Sequence, residues 1–168
     1  MLSAGGQYIL SIGYLKQQLA ITGTNRMPNN SREEAFVNAF VAKAKRERYI
    51  GLLSNPKKRK KILEVLNHNF DFDEALATVI GCHQIQILLS RLEELLCSDE
   101  ACYLISDDNV LDGKTFPFAQ ALAIAQASNW GTILDCIPGE LALYWDEASP
   151  SRHCILLQKH KNPVENEF

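Results

Sequence analysis

Most of the devices that announce a function are missing from this 168-residue chain. No stretch approaches the roughly 18–20 apolar residues that a membrane-spanning helix requires. The short run Tyr8–Leu15 has no Lys or Arg before it, so it does not read as a signal peptide either. Gly5-Gly6 is isolated, and neither a phosphate-cradling glycine loop nor a dinucleotide fingerprint occurs. A Gly-x-Ser-x-Gly nucleophile elbow is also lacking. No motif here fixes a reaction, a cofactor or a substrate.

Cysteine is sparse and odd in number: Cys82, Cys97, Cys102, Cys136 and Cys154, set mostly among apolar neighbours. That pattern suits reduced, buried thiols and a cytoplasmic compartment better than a secreted disulfide framework. Zinc is not expected, because His83 and His153 each adjoin a cysteine rather than standing at a chelating offset. A calcium loop aligned on Asp108 fails for a similar reason. Val110 fills one ligand position and Ala119 the closing one, and both need an oxygen donor. The expectation is no metal and no cofactor.

What is present supports a folded domain. The chain is 46% hydrophobic and 22% charged, ordinary values for a globular protein. At this length folding buries roughly two-thirds of the unfolded surface, enough for a core without disulfides. Residues 1–30 differ from the rest and read as an N-terminal extension. Either translation starts at Met27 or the segment is a genuine element packed on the domain.

Ser31-Arg32-Glu33-Glu34 is a capping box, and the stripe Phe36, Val37, Phe40, Val41, Ala44 predicts a helix from Arg32 to about Leu53. Asn55-Pro56 caps a second helix, whose buried stripe is Ile62, Leu63 and Leu66 and which ends near Asn67. The short connection makes the two an antiparallel hairpin. A third helix follows from Ile85 to Leu96. The second half reads β-α-β-β-β. Strands are expected at Ala101–Ser106, Gly131–Ile137, Glu140–Trp145 and His153–Gln158, with a helix over Phe118–Ala127. Pro138-Gly139 marks a hairpin. The fold class is therefore α+β: a helical half over 31–97 packed with a small, mostly antiparallel sheet over 101–158 that carries one helix. The tail 161–168 is polar.

Charge is unevenly placed. Between Lys43 and Lys61 nine basic residues face one acid, whereas from Glu93 to Glu147 eleven acids face one base. Such asymmetry serves a nucleic acid, an acidic partner, or the pairing of one half with the other. The densest run is Lys57, Lys58, Arg59, Lys60 and Lys61, in the first turns of a helix. There each cation opposes the helix dipole by about 0.3–1 kcal/mol at low salt, a penalty that a bound anion reverses. Against a single-strand binder, no aromatic residue interleaves with this run to stack bases.

Three functional readings result. The first is a non-catalytic interaction protein, an adaptor or inhibitor-like module. It meets a protein partner through the acidic C-terminal half, at Asp107, Asp108, Asp112, Tyr144 and Trp145. Alternation along the strand sets Tyr144 and Trp145 on opposite faces, which predicts one in the core and one more exposed. The second is a nucleic-acid binder using residues 57–61. The third is a small thiol enzyme with Cys136 as nucleophile and His153 as its base. No membrane partner is expected.

Overall fold

The computed structural model describes residues 30–67, 70–81, 84–96, 101–147 and 154–159. The proposed extension, the C-terminal tail, and Cys82, His83, Cys97 and His153 lie outside these residues. The apolar stripe Phe36, Val37 and Phe40 is buried on helix α1 (Asn30–Phe40). The expected long helix breaks after it. Val41 forms an antiparallel bridge to Phe72, Ala42 N–H donates to the Asp71 carbonyl at 2.9 Å, and Asp73 N–H donates to Phe40 at 2.8 Å. The distant segment captures backbone groups that a continuous helix needs for itself. After a 3-10 turn (Lys43–Lys45) the chain resumes as α2 (Arg46–Leu53).

Helix α3 (Pro56–Leu63) begins as its caps require, with Asn55 Oδ1 accepting from Lys57 N–H at 3.0 Å and Pro56 in the first turn. A 3-10 turn (Glu64–Asn67) closes it. The rest comprises β1 (Ala77–Ile80), α4 (Ile85–Leu95), β2 (Ala101–Ser106), β3 (Thr115–Pro117), α5 (Phe118–Ala127), β4 (Thr132–Ile137), β5 (Leu141–Trp145) and β6 (Cys154–Gln158). The strands form one sheet in the order β1-β6-β5-β4-β2-β3, antiparallel at every junction. β4 and β5 are joined through Pro138-Gly139, where Gly139 takes the positive φ of 70° that the turn demands.

The architecture is α+β, as expected, and helices cover both faces of the sheet. On one face Leu104, Leu134, Leu143, Trp145 and Leu156 pack with α4 and α5. On the other, Tyr103, Ile105, Ile133, Tyr144 and Leu157 pack with α1, α2 and α3. Period-2 alternation therefore sends successive side chains into two cores instead of one core and solvent. Among the described residues no helix is long and apolar enough to cross a membrane.

Candidate functional site

The helical period divides the basic run. Arg59 shares the buried face of α3 with Ile62 and Leu63, whereas Lys57, Lys58, Lys60 and Lys61 are exposed. Arg59 is enclosed by carboxylates from two distant segments, Glu33 on α1 and Asp112 in the loop after β2. Its guanidinium donates to Glu33 at 2.7 and 2.8 Å, to Asp112 at 2.5 and 2.9 Å, and to the Leu53 carbonyl at 3.1 Å. Tyr103 adds its hydroxyl to Glu33 at 2.5 Å. Burial alone lowers the Arg59 pKa, but the bonds to Asp112 and Glu33 outweigh it and hold the group above its ordinary value. Arg59 is thus spent on the core and leaves the proposed anion surface, and Asp112 leaves the proposed acidic one.

A second arginine does the same at the start of α1. Arg32 Nε donates to Asp135 Oδ2 at 2.7 Å, and its Nη2 reaches the carbonyls of Asp135 at 2.5 Å and Ala101 at 3.2 Å. Asp135 is fully buried, and its Oδ1 has no hydrogen-bond partner among the described residues. Burial raises its pKa, and the bond and charge of Arg32 only partly oppose that. These two pairs show where part of the charge asymmetry goes: the basic half neutralises the acidic half inside the fold.

What remains exposed is the lysine face, and beside it lies a groove that the linear sequence does not suggest. Lys60, Lys61, Glu64, Val65, Asn67, Asp107 and Trp130 line it. Asn67 is the joint. Its Nδ2 donates to Asp107 Oδ2 at 2.7 Å, and its Oδ1 accepts from Gly131 N–H at 2.7 Å. Gly131 is pressed against the 3-10 turn so closely that a Cβ there would overlap the carbonyl of Leu66. Trp130 N–H donates to Ser128 Oγ at 3.1 Å, and the Trp130 carbonyl accepts from Thr132 Oγ1 at 3.1 Å. The backbone under Trp130 is therefore held on both sides, yet the residue is 47% exposed. A large aromatic in the turn between a helix and a strand is the one signal by which sequence reading might have found it.

The other candidate residues are placed differently. Asp107 is committed in part to Asn67, and Asp108 accepts from Val110 N–H at 2.9 Å within its own turn. Tyr144 and Trp145 do point to opposite faces, but both are buried, because each face has its own helical layer. The expectation that one of them is exposed is corrected. The Tyr144 hydroxyl donates to the Leu66 carbonyl. Cys136 faces the α4–α5 core with its Sγ 3.0 Å from that of Cys102. That hydrogen bond and burial raise its pKa well above the usual thiol value, the opposite of what a thiolate nucleophile needs. No group of three or more potential metal ligands is assembled among the described residues.

No family model, no curated protein and no solved structure matches this chain.

Proposed function

We propose that this protein is a non-catalytic binding module for nucleic acid and that the exposed face of α3 is its working surface. One observation carries the reading. Lys57, Lys58, Lys60 and Lys61 are exposed and make no ion pair among the described residues, while Arg59, in the middle of the run, is anchored in the core. The anchor fixes the helix, so the four lysines project from a held backbone rather than from a floppy basic tail. Mutual repulsion, and for Lys57 and Lys58 the helix dipole as well, make the array unfavourable until an anion meets it. A polyphosphate chain answers several lysines at once and releases its counterions on binding.

The test is an electrophoretic mobility shift with short RNA and DNA at low salt. The wild-type chain is compared with a variant in which Lys57, Lys58, Lys60 and Lys61 become Gln. The reading expects a shifted band for the first and none for the second. Equal shifts, or no shift for either, reject it.

The alternative, a protein partner for the acidic half, retains one supporting feature. Val110 is exposed at the tip of the loop that also carries Asp107 and Asp108. With Tyr144 and Trp145 buried and Asp112 bound to Arg59, the aromatic anchor left to that surface is Trp130, and it shares its groove with Lys60 and Lys61.

A further inference from the structure

We infer that the groove beside α3 is a base-stacking subsite, so that the ligand is single-stranded and its preferred bases carry an exocyclic amine. This rests on the nucleic-acid reading and narrows it. Trp130 offers an exposed indole on a backbone fixed by Ser128, Thr132 and the Asn67–Gly131 bond. A rigid aromatic loses little freedom when a base stacks on it. Bases inside a duplex present no free face to such a ring. Lys60 and Lys61 line the same groove, so a strand whose base lies on Trp130 can set its phosphates against the lysine face.

Of the two acidic members of the groove, Glu64 and Asp107, the second is informative. A carboxylate in a site that only gathered phosphates would repel its ligand. Asp107 is held in place by Asn67 through Oδ2, and the described residues supply no hydrogen bond to its other oxygen. A carboxylate so placed accepts from the exocyclic amine of cytosine, adenine or guanine, whereas thymine and uracil offer it only the single imino N–H of the ring.

Fluorescence anisotropy with labelled dC12, dT12 and a 12-base-pair duplex tests this in the full-length chain. Expected are tighter binding of dC12 than of dT12 and weaker binding of the duplex. Trp130→Ala should then lower dC12 affinity by roughly 5- to 150-fold while leaving duplex binding unchanged, and Trp130→Phe should restore much of the loss. Asp107→Asn should narrow the gap between dC12 and dT12. Indole emission should be quenched by dC12 in the wild type and not in Trp130→Phe, since Trp145 is buried. If the lysine variant weakens all three ligands but Trp130→Ala changes none, the subsite is rejected and the nucleic-acid reading stands. If none of the three ligands binds at low salt, both are rejected. Polyglutamate binding as tight as dC12 binding, and indifferent to Trp130→Ala, also overturns the subsite.

Discussion

Arg59 grips Asp112 side-on, Nε to Oδ2 at 2.5 Å and Nη2 to Oδ1 at 2.9 Å. This bidentate pair joins the middle of the basic run to the acidic loop 53 positions away. The same guanidinium holds Glu33 from α1. One side chain therefore ties the first helix, the third helix and the loop after β2 together. Buried pairs of this kind add little net stability compared with apolar replacements, but losing one partner strands the others. Arg59→Met should lower unfolding free energy by about 3–5 kcal/mol, whereas Lys58→Gln should change it by no more than about 0.5 kcal/mol. Urea denaturation of the two variants checks this. Similar values would mean that Arg59 is not the anchor.

Asp135 makes a prediction of opposite character. Its pKa is raised by burial despite Arg32, so its ionisation is harder in the folded state than in the unfolded chain. The stability it contributes is present below the unfolded carboxylate pKa and is lost as pH rises through the folded value. Asp135→Asn lacks that loss. Relative to wild type, the variant should gain stability as pH rises above the ordinary carboxylate pKa of 3.8 in parallel urea titrations. A relative loss over that rise would show that the attraction of Arg32 outweighs desolvation.

Tyr49 contributes to the alkaline limb. Burial, then the bond to and charge of Asp71, lift its pKa from 10.0 to about 12. Burial, with Asp146 and Glu147 next, also raises Tyr144. Both phenols favour folding fully below pH 10, and Tyr49 ceases to do so as pH climbs through about 12. Tyr49→Phe should therefore be less stable than wild type at pH 7, by about 0.5–1.5 kcal/mol, and the gap should close between pH 10 and pH 12. A gap that stays constant would mean that the phenol titrates at its ordinary pH.

Gly131 sets the position of the Trp130 loop. Gly131→Ala forces a Cβ into the Leu66 carbonyl, which should lower stability by about 1–3 kcal/mol and shift indole emission as the Asn67 bond is disturbed. Unaltered stability and emission would show that the loop has room to spare.

The contrast between legible and hidden features follows from locality. Strands β2, β5 and β6 are apolar runs between turn signals, and β4 is such a run broken by Asp135, so their existence and ends stand in the sequence. β1 is four residues at a sheet edge with Thr78 and Val79 exposed, and β3 is three residues; neither carries a readable period. The apolar stripe runs on through Val41 and Ala44, so nothing local shows the break that Phe72 imposes. The Arg59 position was legible in outline: it stands at the i, i+3, i+4 spacing with Ile62 and Leu63, a buried register that its charge disguised. Its partners Glu33 and Asp112 were not, since pairing across the fold leaves no local trace. Alternation correctly separated Tyr144 from Trp145 but carried no information on whether a second helical layer covers the other face. The groove is the extreme case, because Lys60, Asn67, Asp107 and Trp130 meet only once the sheet is built.

The most direct measurement is the salt dependence of dC12 binding, by anisotropy, for wild type and for the variant with Lys57, Lys58, Lys60 and Lys61 changed to Gln. Four phosphate contacts predict a log–log slope shallower by roughly 3 in the variant, at about 0.7 per single-strand contact. That result would establish the lysine face as the site of binding. Equal slopes for the two proteins, or no binding by the wild type even at low salt, would contradict the account.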